Sequence, residues 1–159
     1  RHEARPEYLR WATRSFRLAS SAAVTATQVH THMCYAELAD VLDVVADLDV
    51  DVASFEAARS HMGLLGALAD ARYQGGVGPG VYDVHSPQVP TVAEIVTLLR
   101  RAAGAVGSGR LWVNPDCGLK TRADDEAAEA LARMVDAARA VRADLGASAS
   151  ASVADPPSA

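Results

Sequence analysis

The chain has 159 residues, 50% of them hydrophobic and 22% charged, which suits one globular domain or a piece of a larger one and is too apolar for a disordered chain. A net charge of −5 and only two cysteines argue against a nucleic-acid binder driven by phosphate neutralisation and against a disulfide-stapled secreted scaffold. No apolar run approaches the ~18 residues of a membrane span and no basic-then-apolar leader is present, so a cytoplasmic protein with no membrane or nucleic-acid partner is expected.

From about Pro6 to Ala19 the sequence predicts an amphipathic helix. Leu9, Ala12, Phe16 and Ala19 recur at three- and four-residue steps, opposite a solvated stripe of Arg10, Arg14 and Arg17. Gln28 to Cys34 reads as a short strand. Tyr35 to Ala46 predicts a helix with Leu38, Val41, Leu42 and Val45 inward and Asp40, Asp43 and Asp47 outward. Val50 to Phe55 alternates as a strand does, and Ala57 to Ala69 predicts a helix around Met62, Leu65 and Leu68. Gln74 to Gly80 is rich in turn formers and reads as a loop leading into a strand at Val81–Val84.

Thr91 with Glu94 three residues on, just after Pro90, is a capping-box signature. The helix it opens is expected to bury Val92, Ile95, Val96 and Leu99. Leu111 to Asn114 is a buried-strand candidate, and Asp124 to Leu145 predicts a long helix built on Leu131, Met134, Val135, Ala138 and Val141. Residues 1–145 are thus expected to form the folded unit. The Ala/Ser/Pro-rich tail 146–159 has no periodicity and is expected to be disordered.

The order is one helix followed by four strand–helix pairs. Strand ends near positions 34, 56, 83 and 116 suit βα units and a parallel sheet. Four such units make half of an eight-stranded (β/α) barrel. A small flavodoxin-like sheet is the competing architecture, but no Gly-rich phosphate loop opens a helix after the first strand.

Barrel chemistry gathers at the C-terminal ends of strands. The residues there are His30, His32 and Cys34, then Glu56, then Asp83 and His85, then Asp116 and Cys117. His30, His32 and Cys34 are spaced by two, so on a strand they project from one face. Imidazole and thiolate are borderline-soft donors suited to Zn²⁺. Glu56 ends an apolar strand, where a carboxylate is costly to bury without a partner; an ion pair with Arg59 is the plain alternative. Met33, Met62 and Met134 read as core filling, and Trp11 and Trp112 as packing residues.

Three separated runs carry more information than any single residue. They are His30-Thr31-His32-Met33-Cys34-Tyr35, then Gly78 to Pro87 (GPGVYDVHSP), then Asn114 to Arg122 (NPDCGLKTR). In order and interval they closely resemble the C-terminal catalytic barrel of the cobalamin-independent methionine synthase family, from about Tyr8 to Leu145. The resemblance implies the C-terminal half of a (β/α)8 barrel with parallel strands. It implies a zinc site of His32, Cys34, Glu56 and Cys117, with His85 as proton donor. Asp83, two positions from His85, is placed to orient or charge-stabilise it. Ala36, Leu38 and Ala39, and the Ala57-Ala58 pair before Arg59-Ser60, depart from the family pattern without removing a ligand. Weaker hydrogen bonding around Glu56 is therefore expected.

The implied reaction moves a methyl group from 5-methyltetrahydropteroyl(tri)glutamate to homocysteine, giving methionine. The family's main homocysteine and folate contacts lie upstream of Arg1, so the sequence is expected to be part of a longer chain, monomeric when whole. The alternatives are a truncated, non-catalytic segment with a structural zinc site, and a related zinc methyltransferase using another thiol or methyl donor. The intact Val81-Tyr82-Asp83-Val84-His85-Ser86-Pro87 run favours the first reading over the last.

Overall fold

Residues 5–34, 42–70 and 73–153 are described by the computed structural model. Three short strands, β1 (His30–Met33), β2 (Val52–Phe55) and β3 (Gly76–Pro79), form a parallel sheet in chain order. His30 pairs with Val52 and His32 with Ser54; Val52 pairs with Gly76 and Ser54 with Gly78. A fourth segment lies beyond β3, joined by isolated parallel bridges from Val77 to Leu111 and from Gly80 to Asn114. Parallel neighbours need crossover connections. Here α2 (Leu42–Asp47), α3 (Leu64–Asp70) and α4 (Val92–Val106) supply them, with α1 (Arg5–Ser20) before the sheet and α5 (Asp124–Val153) after it.

Alternation along the strands sorts the residues onto two faces. Ala53, Phe55, Val77 and Val81 join Leu42, Val45, Leu65, Leu68, Ile95, Leu99, Met134 and Val141 in one buried cluster, with Met33, Leu111 and Val113 packed against it. The opposite face holds His30, His32, Ser54, Trp112 and Asn114. His30 and Trp112 meet edge to face, ring centroids 4.9 Å apart, although β2 and β3 lie between their strands. The sheet therefore curls toward its polar face, as a barrel wall does.

Sequence and structure differ at several places, among them Trp11, expected to pack but 61% exposed, and Leu111–Asn114, expected as a buried strand but only bridged and partly exposed. The third strand is Gly76–Pro79, not Val81–Val84, because the glycines in this run serve the sheet rather than a turn. A Cβ at Gly76 would lie 2.9 Å from Val52 Cγ2 and 3.1 Å from Trp112 Nε1; at Gly78 it would overlap the Asn114 side chain, and at Gly80 the Asp116 carboxylate. Glycine inside a strand marks such close approach. The helix expected from Ala57 starts only at Leu64, because His61 and Met62 adopt left-handed backbone (φ 48° and 63°) in a turn that still buries Met62.

On α5 the buried stripe is Ala130, Met134, Ala137, Ala138 and Val141, whereas Leu131 and Val135 are about half exposed. Small alanines let α5 approach closely, and that outweighs side-chain size. The same helix continues to Val153, so residues 146–153 are helical rather than irregular. Alanine is the strongest helix former, and no proline occurs between Pro115 and Pro156. On α1, Leu9, Ala12 and Phe16 are half-buried but Ala19 is exposed, since α1 reaches the rest of the fold chiefly through α2. Of the expected second helix, Tyr35–Val41 lies outside the described residues; Leu42 and Val45 are buried as expected. The Thr91 capping box forms, with Thr91 Oγ1 accepting from Glu94 N and Glu94 Oε2 accepting from Thr91 N at 2.7 Å.

The glycine stripe makes a direct prediction. Gly80→Ala places a methyl against the Asp116 carboxylate and 2.8 Å from its backbone nitrogen, and should cost about 1–3 kcal/mol. Gly104→Ala, in α4 with nothing within 4 Å of an added Cβ, should instead stabilise by about 0.5–1 kcal/mol. Denaturant unfolding of both variants checks the contrast; equal effects would contradict the packing described.

Candidate metal centre

The ladder continues past the ends of the short strands and thereby aligns the loops above them. Glu56 N donates to Met33 O at 3.3 Å, Gly80 N to Phe55 O at 2.8 Å, and Asp116 N to Tyr82 O at 2.9 Å. Cys34, Glu56, Gly80 and Asp116 are thus brought to one rim. Among the described residues, His32, Cys34 and Cys117 form a cluster of metal-type donors whose ligand atoms all lie within 4.8 Å of one another. They come from β1, from the residue just beyond it, and from the end of the fourth strand segment, more than 80 positions away in sequence. His32 and Cys117 are exposed and Cys34 half-buried, so the cluster opens to solvent on the polar side of the sheet.

The electrostatics are those of a site built for a cation. Both cysteines are free. The Cys34 thiol is pushed up to about 11, first by its hydrogen bond with the Cys117 side chain, then by burial, then by the negative charges of Cys117, Glu56 and Asp116. Each cause disfavours the thiolate in the absence of a positive partner. Two thiols and an imidazole are the donors a borderline-soft divalent ion takes, so the residues present fit a metal. Glu56 is half-buried and stands outside the three-donor cluster, but near enough for its charge to act on Cys34.

Asp116 is the buried polar residue beneath the cluster, 1% exposed. Its Oδ1 accepts from Ala57 N at 2.8 Å and Ala58 N at 3.2 Å, tying the turn after Glu56 to the strand end that presents Cys117. Burial raises the Asp116 pKa, against the opposing pull of the backbone N–H groups of Ala57, Ala58 and Arg59. These bonds need no side chain at positions 57 and 58.

His85 and Asp83 occupy the loop after β3 rather than a strand end. His85 is exposed and is not part of the donor cluster. Asp83 Oδ1 accepts from the His85 backbone N–H at 2.9 Å, so Asp83 shapes the turn under His85. From α5, Arg133 Nη1 donates to the Val89 and Pro90 carbonyls at 2.9 and 3.0 Å, and from the turn before that helix Arg122 Nη2 donates to Pro87 O at 3.5 Å, which pins the loop from behind. His30, spaced with His32 in sequence, packs edge to face against Trp112 and does not join the cluster. Sequence reasoning placed Asp116 at a strand end but gave it no role, and passed over Ser54. The available signal at Ser54 was its being the one hydroxyl in the apolar run Val52–Phe55.

A curled parallel sheet with helices on one face and a His/Cys/Cys cluster at the strand ends defines one wall of a (β/α)-barrel protein with a metal-type site. Residues 1–140 match the family model described as cobalamin-independent synthase, catalytic domain, and the chain belongs to that family. It is 58% identical over 137 residues to a 5-methyltetrahydropteroyltriglutamate–homocysteine methyltransferase of Mycolicibacterium paratuberculosis, covering 86% of this chain and 18% of that one. A protein of the same name from Rhodococcus jostii is 55% identical over 140 residues, covering 88% and 19%. The chain thus spans about a fifth of the length of these curated relatives. The solved structure of a B12-independent methionine synthase from Shewanella sp. W3-18-1, in complex with selenomethionine, superposes with a TM-score of 0.72 at 21% identity over 89% of this chain and 46% of that one; this likeness is one of fold. No helix among the described residues is long and apolar enough to cross a membrane.

The Asp116 tether is testable by stability alone. Asp116→Ala leaves the Ala57 and Ala58 N–H groups without this acceptor, the first of them buried, and should cost about 1–3 kcal/mol. Asp116→Asn keeps an oxygen acceptor and should cost less. Equal losses in chemical denaturation would show that the oxygen at this position is not what holds the turn.

Proposed function

We propose that this chain is the metal-holding part of a barrel that transfers a methyl group from 5-methyltetrahydropteroyl(tri)glutamate to homocysteine, giving methionine, with His32, Cys34 and Cys117 as zinc ligands and Glu56 as the fourth. The observation that carries the reading is the convergence of the three donor atoms within 4.8 Å. Family membership and the names of the relatives support it. A cytoplasmic setting, where thiols stay reduced, suits a site made of two free cysteines.

A zinc ion bound here would supply a Lewis acid that lowers the pKa of a substrate thiol, making its sulfur nucleophilic at neutral pH. The protein's residues do the rest. His32, Cys34 and Cys117 fix the ion's place on the open face of the sheet. Glu56, outside the tight trio, would be the fourth donor and the more weakly held one. The leaving group of the methyl transfer is the N5 amine nitrogen of the folate, which departs poorly unless protonated. His85 is the proposed general acid for that proton. Asp83 assists by holding the His85 backbone in its turn.

Two measurements test the assignment in the protein as its gene encodes it. Cys34→Ser and Cys117→Ser should each strip most of the zinc, and Glu56→Gln should weaken binding less; full occupancy in both serine variants would overturn the ligand set. The same titration carries a pH signature. A thiol held near 11 keeps its proton at neutral pH, and a metal must displace it. Affinity should therefore rise with pH between 6 and 8, by up to about tenfold per unit for each proton displaced. A flat profile would contradict thiol ligation. Separately, His85→Asn should leave zinc content unchanged and slow methyl transfer by about 10²-fold or more; unchanged turnover would assign the proton to another group.

A further inference from the structure

His32 has two ring nitrogens, and its neighbour on β2 bears on which of them is free. His32 and Ser54 are register partners on β1 and β2, both on the polar face of the sheet. Ser54 Oγ lies 2.7 Å from His32 Nδ1 and donates to the Thr31 carbonyl oxygen at 3.1 Å. A hydroxyl has one proton and two lone pairs, whereas a carbonyl only accepts. With its proton committed to Thr31 O, Ser54 Oγ meets Nδ1 as an acceptor. Nδ1 then carries the ring hydrogen, and Nε2 keeps the lone pair.

We infer that Ser54 is a positioning residue: by accepting the Nδ1–H of His32 it holds the imidazole in one tautomer and makes Nε2 the nitrogen presented to a metal ion. The inference rests on the zinc reading for its consequence but not for its geometry, which belongs to the protein's own hydrogen bonds. Partners of this kind fix the ring orientation of ligating histidines and raise their basicity, and removing one typically weakens metal binding by about 10–100-fold.

The test uses zinc competition against a chromophoric chelator in the protein as its gene encodes it. Ser54→Ala should lower zinc affinity by about 10–100-fold, and Ser54→Thr, which keeps the hydroxyl, should restore it. In a His32→Ala background, Ser54→Ala should produce no further loss, because its effect passes through the imidazole. Histidine-selective ¹⁵N labelling supplies a readout that stability does not move. His32 should show a protonated Nδ1 in the metal-free protein and zinc on Nε2 in the loaded one, with the Nε2–H form appearing in Ser54→Ala. Unchanged affinity in Ser54→Ala, an additive loss in the double variant, or zinc on Nδ1 would each overturn the role of Ser54. Failure of the unaltered protein to take zinc would instead overturn the metal reading, while the metal-free ¹⁵N shifts still decide the tautomer.

Discussion

The arrangement depends on a strand that has no side chains on one face. Gly76, Gly78 and Gly80 alternate along β3 and its end, and each leaves space that a neighbouring side chain fills: Trp112, Asn114 and Asp116. Those three residues come from the adjacent segment and lie across β3 toward the first two strands. Trp112 reaches as far as His30, and Asp116 as far as Ala57 and Ala58. Interdigitation of this kind normally needs alternating large and small residues on facing positions. Here the small partner is reduced to hydrogen, and the sheet curls until the fourth segment meets the first.

That curl brings distant positions into one donor set. Cys117 is far from His32 and Cys34 in sequence and follows a segment separated from β1 by two strands, yet it lies in the same cluster. The helices on the other face provide the apolar burial that stabilises the wall, which leaves the open face free to hold polar groups whose mutual repulsion would otherwise be costly. Cys34, Cys117, Glu56 and Asp116 together disfavour thiolate formation in the metal-free protein. The cost of assembling them is borne by the core behind the sheet and by the backbone bonds to Asp116.

Much of this was legible in the sequence, for reasons that differ by element. The capping box at Thr91 is local chemistry and forms as read. The parallel βα order follows from spacing, and the motif resemblance pointed to the family to which residues 1–140 belong. The third strand was misplaced because glycine signals a turn in local reasoning, while its purpose here depends on residues more than 30 positions away. The buried stripe of α5 is rotated from the one that apolar size suggests, because α4 accepts the alanine side of the helix. Left-handed backbone at His61 and Met62 leaves no sequence mark, so the late start of α3 was not readable. In the candidate site, His32, Cys34 and Cys117 were legible from residue type and motif. The roles of Ser54 and Asp116 were not, because they act through hydrogen bonds across strands.

The bonds from Asp116 to the turn after Glu56 set unequal limits on how that turn can vary over evolution. Asp116 recognises peptide N–H groups, so the identity of residues 57 and 58 is constrained by shape and not by functional group. Ala57 is fully enclosed, which restricts that position to small side chains, whereas the half-buried Ala58 has wider latitude. Proline is closed to both, since it would delete the very donor the carboxylate requires. A turn that touches the candidate site can thus carry side chains without any hydrogen-bonding group, as Ala57 and Ala58 do here, and still be held in place.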